Sequence, residues 1–290
     1  MKYLVQYSGG KDSLATLLYV MEHYNNDKIE VVFCDTGWEH NITYKHIKYI
    51  KEKTGLKFIT LKSEKFKDFE TLSLIKKRVA STRARFCTIE LKVVPFIDYV
   101  LSLKENVIVF QGIRKNESKS RSLMSKQCTY FKYYFESRGL DKKGKPKFDT
   151  YRRKEVKEWC KNFNADIERP IFDWTANEVF DFIKSKDYKF NELYKKGFLR
   201  VGCFPCIMCV KSEIKLIADE FPETIEKIVQ LEAKVQRTFF PPKYIPPWAC
   251  KNGEYPTIQD VVKYVQDNPD QISLIEKEVQ SCKSIYNICE

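Results

Sequence analysis

Two groups of residues have types and spacing suited to chemistry. The first is the stretch "YSGGKDS", residues 7–13, where two glycines, a lysine and an aspartate separate the apolar run "YLVQY" from the helix-like "SLATLLYVMEHY". Glycines let the backbone approach a ligand, and the free N–H groups of a helix start favour negative charge. The turn between Tyr7 and Leu14 is therefore expected to cradle phosphate. Its order does not match the Walker A pattern, which needs four residues between its first glycine and its Gly-Lys. The second group is Cys203, Cys206 and Cys209, spaced C-x2-C-x2-C. That spacing is the one found around iron–sulfur clusters. A four-cysteine zinc site is the rival, because all three histidines lie before residue 47. The plainer alternatives are a tight strand–helix turn with a solvated lysine, and buried free thiols.

The elements that must hold these residues follow from periodicity. "IEVVFC" (29–34), "KFITL" (57–61) and "NVIVFQG" (106–112) read as further buried strands. "HNITYKHIKYIKEKTG" reads as a helix ended by Gly55, and "TIELKVVPFIDYVLSL" as mostly helical with Pro95 at a break or a start. Alternating strands and helices predict an α/β fold, a parallel sheet flanked by helices. Ligands bind such sheets at the carboxyl ends of the strands. The glycine turn, the "DTG" after "VVFC" and the "GIRKNES" after "VIVF" all fall at that edge. Residues 122–165 read as a basic, aromatic insertion. Thr175 is expected to cap a helix in "TANEVFDFIKS", and a cysteine-bearing, mainly helical part follows. The chain divides at about residue 200, into 1–200 and 201–290.

Composition sets the frame. At 290 residues, 43% apolar and 14% aromatic, the chain can build a real core. It has no apolar run of about 18 residues or more, so no membrane span is expected. Its start is too briefly apolar for a signal peptide, and a cytoplasmic location follows by default. There, ten cysteines are expected as thiols or metal ligands. The net charge of +12 suits polyanionic partners. Within the insertion, Lys142, Lys143, Lys145, Lys147, Arg152, Arg153 and Lys154 follow Tyr130, Phe131, Tyr133, Tyr134 and Phe135. Cations track phosphates and aromatic faces stack on bases, so this segment fits either nucleic acid or a solvated loop over core aromatics.

The "SGGKDS" loop resembles the pyrophosphate loop of the ATP pyrophosphatase (adenine nucleotide alpha-hydrolase) superfamily. Five further segments resemble its phosphoadenosine phosphosulfate (PAPS) reductase-like branch: "FCDTGWEHNITY", "RFCTIELKVVPF", "QGIRKNESKSR", "RPIFDWTANEVFDFI" and "GFLRVGCFPC". Their order is shared from residue 3 to about 209. The resemblance implies that Ser8, Gly9, Gly10, Lys11 and Ser13 hold pyrophosphate. It implies that Asp12 and Asp35 position Mg²⁺ or cap loops, and that Thr36 and Gly37 lie near the adenosine. Gly112, Glu117 and Ser118 would shape the last loop, while Arg114 and Arg121 offer forks for phosphate or sulfate. Lys11, Asp12, Arg114 and Arg121 are the expected catalytic residues. The resemblance also brings Cys87 toward Cys203, Cys206 and Cys209 as the fourth ligand of a [4Fe–4S] cluster. Phe86 stands where some members carry a paired cysteine.

The resemblance extends to sulfur-incorporating subunits of Dnd- and Ssp-type DNA phosphorothioation systems. It implies an ATP pyrophosphatase that adenylates an acceptor for sulfur transfer, with a cysteine desulfurase and DNA as partners. The alternative is an assimilatory PAPS or APS reductase. Reductases end in Glu-Cys-Gly-(Ile or Leu)-His, whereas this tail, "SCKSIYNICE", has Cys282 and Cys289 without that glycine or histidine. A third possibility is a non-enzymatic, nucleotide-sensing module that binds nucleic acid.

Overall fold

A computed structural model describes residues 1–251 and 253–268. Cys282, Cys289 and the stretch "QISLIEKEVQSC", expected to be helical, lie outside the described residues. Six strands form one sheet: β1 (Lys2–Gln6), β2 (Ile29–Cys34), β3 (Lys57–Leu61), β4 (Val107–Phe110), β5 (Gln127–Thr129) and β6 (Ala165–Glu168). Their order is β3-β2-β1-β4-β6-β5. All pairs are parallel except β5–β6. The α/β sheet expected from the sequence is present. The chain winds outward from β1 to β3, then returns to place β4 on the other side of β1. This reversal opens a crevice at the carboxyl ends of β1 and β4, where ligands bind in sheets of this kind.

The strands alternate between two cores. Leu4 joins Val32, Phe96, Val100 and Val109 on one face, whereas Val5 joins Leu14, Leu17, Val31 and Val179 on the other. β2 is buried along its whole length, as a central parallel strand covered on both faces must be. The one charged group in it, Glu30, is held by Lys2 at 2.6 Å and Lys57 at 2.7 Å. The helices α1 (Lys11–His23) and α2 (Asn41–Thr54) follow β1 and β2. α2 ends at Gly55, whose φ of 64° closes the last turn as expected. Thr175 caps the Ala176–Ser185 helix in a reciprocal capping box with Glu178. The stretch around Pro95 is helical through a π turn, Ile89–Val93, with the proline in the first turn of Val94–Ser102.

The insertion departs in part from one of its two readings: Phe135 is exposed and Tyr133 half-buried, but the other three aromatic residues of 130–135 are buried. Tyr130, Phe131 and Tyr134 are at most 2% exposed and sit in the core with Phe96 and Trp159. They follow the antiparallel edge strand β5 and anchor the segment to the sheet, so they are not faces on which bases stack. Lys142, Lys143, Lys145 and Lys147 remain exposed on a small hairpin closed by the Leu140–Pro146 bridge.

A third core joins distant parts of the chain. Trp38, Phe66, Leu72 and Leu91 pack with Phe198, Ile214, Leu231 and Val261. Through them the helices Lys211–Glu220, Pro222–Val235 and Ile258–Asp267 are fixed against the loop after β2 and the helix α3 (Phe69–Lys76). This packing brings the cysteine segment to the carboxyl edge of the sheet. Among the described residues, no helix is long and apolar enough to cross a membrane.

Candidate functional site

β1 feeds the anion loop directly into α1. Gly9 has φ of 83°, a conformation that favours glycine, and Gly10 leads into the first turn. The Ser8 and Ser13 hydroxyls lie 3.2 Å apart, and Ser13 Oγ donates to Gly10 O at 2.9 Å. Across the crevice, Gly112 lets the loop after β4 pack on the same helix start. A Cβ there would stand 2.7 Å from the Asp12 carbonyl carbon and from Ser13 N. The two loops expected to share a ligand are thus in backbone contact.

A chain of ion pairs runs through this contact. Lys11 Nζ lies 2.9 Å from Asp12 Oδ2, and Arg114 Nε lies 2.5 Å from Asp12 Oδ1. Glu117 Oε2 accepts the Arg114 backbone N–H at 2.9 Å and pairs with Arg121. Ser118 caps the following turn by accepting Arg121 N–H at 3.2 Å. Asp12 and Arg121 are fully buried, and Lys11 and Arg114 nearly so. Buried charges need such pairing. Asp12 is a strut between the anion loop and Arg114, and Arg121 braces Glu117 from inside the loop.

Asp35 has the loop-capping role. Its Oδ1 accepts Gly37 N–H at 2.9 Å and the Tyr44 hydroxyl at 2.7 Å, and its Oδ2 meets Lys62 at 3.0 Å. Burial opposes its ionisation, but these bonds outweigh it and hold its carboxyl below the usual range. Thr36 donates its hydroxyl to Glu39 at 2.6 Å.

The cysteine segment docks on this same loop. Glu39 and Cys203 form an antiparallel bridge, Phe204 N–H donates to Trp38 O at 2.6 Å, and Trp38 Nε1–H donates to Pro205 O at 3.1 Å. Cys87, Cys203 and Cys206 line one cavity, with Thr36, Arg85 and Lys92. Cys203, Cys206 and Cys209 line a second, with Ser8, Lys92 and Glu213. Glu213 accepts Leu199 N–H and Val210 N–H, both at 3.2 Å. Its pKa is raised because burial outweighs these bonds. The four expected thiol donors therefore surround adjoining cavities, and their chemistry fits a thiolate-bound group. As they stand, no three His, Cys, Asp or Glu side chains among the described residues are grouped closely enough to hold a metal ion. Cys34 is a core thiol.

Several site residues were not picked out from the sequence. Lys92, 7% exposed, lines both cavities. A lysine inside the apolar "TIELKVVPF" was the available signal. Glu39 lies within "FCDTGWEHNITY", where nothing local marks it for a role. Tyr194, which contacts Lys11, gave no local signal because only the fold brings the two together.

Comparison with known proteins gives this edge its relatives. An uncharacterized 37.8 kDa protein of Escherichia phage 186 is 29% identical over 311 aligned residues, covering 89% of this chain and 84% of that protein. An uncharacterized Methanocaldococcus jannaschii protein is 31% identical over 77% of this chain, which spans only 40% of that relative's length. Among solved structures, the PAPS reductase of Candida auris, a phosphate complex, aligns with a TM-score of 0.46 and 15% identity over 71% of this chain and 81% of that one. Residues 2–209, from β1 through Cys209, match the phosphoadenosine phosphosulfate reductase domain, and the chain belongs to that family.

Proposed function

We propose that the protein is an ATP pyrophosphatase that activates an acceptor for sulfur transfer. The observation that carries this reading is one shared cavity wall. Ser8 of the anion loop lines the same cavity as Cys203, Cys206 and Cys209. An activated acceptor in this cavity lies beside the anion loop and the cysteines together.

In the proposed first step, an acceptor oxygen attacks the α-phosphorus of ATP. A P–O bond forms, the α–β bridge breaks, and pyrophosphate leaves into the Ser8–Ser13 loop. Lys11 and the loop N–H groups offset the charge that develops there. Mg²⁺ enters with ATP, bound to its phosphates, since both Asp12 oxygens and both Asp35 oxygens already accept protein donors. In the second step, hydrosulfide displaces AMP. A persulfide from a cysteine desulfurase serves equally if a thiol supplies two electrons. Cys87, Cys203, Cys206 and Cys209 would hold a [4Fe–4S] cluster, one thiolate to each iron, which would supply a one-electron redox centre beside the anion loop.

Nucleic acid, with DNA phosphorothioation as the specific case, is the acceptor class. Support for it comes from a cationic segment that leads, in sequence, into the wall of the cysteine cavity. The segment 76–85 carries Lys76, Lys77, Arg78, Arg83 and Arg85 and no acid. Lys77, Arg78 and Arg83 are exposed, and Arg85 lines the cavity with Cys87. PAPS or APS reduction is the second reading, favoured by the family's own name.

The test is product analysis. Purified protein with Mg²⁺ and ATP, with and without DNA, is expected to form AMP and pyrophosphate. Release of ADP and orthophosphate would overturn the α-phosphate assignment. Sulfite from PAPS or APS with reduced thioredoxin would establish the reductase reading.

A further inference from the structure

The segment after the Ala176–Ser185 helix clasps the anion loop. Asn191, only 1% exposed, donates its amide to Gly9 O at 3.4 Å and to Thr43 Oγ1 at 3.3 Å. Its own Oδ1 accepts Leu193 N–H at 3.0 Å and so caps the short turn Glu192–Lys196. From that turn, the Tyr194 hydroxyl accepts the Lys11 backbone N–H at 3.0 Å. The Tyr194 ring also lies 5.2 Å from Lys11 Nζ, and Phe180 packs edge-on against it at 5.7 Å.

Lys11 N–H is the first of α1. The first N–H groups of a helix have no partner within it and are the donors an anion takes. One N–H aimed at a tyrosine oxygen cannot give a full hydrogen bond to phosphate as well. The turn that carries Tyr194 runs on into Phe198 and Arg200–Cys203, which line a cavity together with Ser8. A shift of this turn is therefore transmitted to the cysteine segment.

The geometry points to Tyr194 as a latch on the anion loop. Phosphate displaces its hydroxyl from Lys11 N–H, and the release of the Glu192–Lys196 turn reports occupancy of the loop to Cys203. This inference rests on the assignment of Ser8–Ser13 as a pyrophosphate cradle.

Calorimetric titration of the full chain with pyrophosphate tests it, alongside mass-spectrometric rates of Cys203 alkylation in chelator-treated protein. Tyr194→Phe keeps the ring and removes the competing oxygen. It is expected to bind pyrophosphate about 5–10-fold more tightly, the scale of one net hydrogen bond. In the wild type, pyrophosphate is expected to change the Cys203 alkylation rate severalfold. In Tyr194→Phe the rate already stands at the loaded value and does not respond. Phe180→Leu, which loosens the ring but keeps the hydroxyl, is expected to shift affinity the same way by less. Equal or weaker pyrophosphate binding by Tyr194→Phe, or an unchanged alkylation response, overturns the latch and leaves the cradle standing. No pyrophosphate binding by either protein overturns both.

Discussion

Glu39 and Cys203 are joined twice, by a backbone bridge and by a contact of 3.7 Å between the Cys203 sulfur and Glu39 Oε1. Thr36 Oγ1 donates to the same carboxylate oxygen at 2.6 Å and lies 3.6 Å from the same sulfur. The loop expected near adenosine and the segment expected to bind metal are thus one hydrogen-bonded unit. A carboxylate beside a thiol opposes formation of the thiolate. Glu39→Gln keeps an acceptor for Thr36 and removes the charge. In chelator-treated protein it is expected to raise the rate of Cys203 alkylation severalfold near neutral pH. An unchanged rate would show that the carboxylate has no electrostatic hold on the sulfur.

Lys11 and Gly112 test the anion loop from two directions. Lys11→Ala removes a charge-assisted phosphate contact, which contributes about 1.5–3 kcal/mol. It is expected to cut pyrophosphate release about 10–100-fold and also to lower the melting temperature, because the buried Asp12 keeps Arg114 but loses its lysine partner. Gly112→Ala instead drives a Cβ to 2.7 Å from the backbone of Asp12 and Ser13. Overpacking against backbone costs about 1–3 kcal/mol, so this variant is expected to lose both thermal stability and nucleotide affinity. A Gly112→Ala protein as stable as wild type would show that the loops are not in obligatory contact.

Much of this arrangement was legible in the sequence because its signals are local. An apolar run broken only by Glu30 marks β2, Gly55 ends α2, and Thr175 with Glu178 writes a capping box within a few residues. The carboxyl edge was legible too, since β/α alternation fixes which loops gather there. The illegible parts depend on long-range packing. The aromatic residues Tyr130, Phe131 and Tyr134 have the composition of a base-stacking platform, and only β5 pairing with β6 turns them into core. Arg114 and Arg121 read as free forks, yet Asp12 and Glu117 hold them. Tyr194 meets Lys11 only after the sheet is closed.

The metal site makes a compositional prediction. Anaerobically purified protein is expected to be brown and to contain iron and acid-labile sulfide. Cys87→Ser, Cys203→Ser and Cys206→Ser are each expected to lose both, because every thiol lines the shared cavity. Cys209→Ser separates the ligand sets, since Cys209 lines only the neighbouring one of these two cavities. Retention of iron in that variant would remove Cys209 from the set. Zinc at one per chain in colourless protein would replace the cluster by the four-cysteine zinc site.

His46 predicts acid sensitivity of the fold. It is 7% exposed on α2, and burial lowers its pKa from 6.5 to about 4. The unfolded chain therefore binds the proton more readily than the folded one between these values. Stability is full above about pH 6.5 and falls as pH drops toward 4, by about 3 kcal/mol in all. His46→Gln is expected to flatten the melting temperature over that window. An equal slope in wild type and variant would assign the acid sensitivity to other groups.

The two basic segments can be separated by salt. Lys142, Lys143 and Lys145 lie on an exposed hairpin over a core-anchored segment, whereas the exposed Lys77, Arg78 and Arg83 shortly precede Arg85 and Cys87, which line a cavity with Cys203. An acceptor strand must reach that cavity, so its phosphates are expected to follow the second group. Each phosphate contact contributes a slope of about 0.7–0.9 to the fall of log K with log salt. Replacing Lys77, Arg78 and Arg83 together by glutamine is expected to flatten the slope for DNA by about 2–3. The hairpin triple variant is expected to bind like wild type. Pyrophosphate affinity is expected to survive in both, because neither set touches the Ser8–Ser13 loop. A flattened slope in the hairpin variant alone would move the nucleic-acid surface away from the cysteines, and with it the case for a nucleic-acid acceptor at this site.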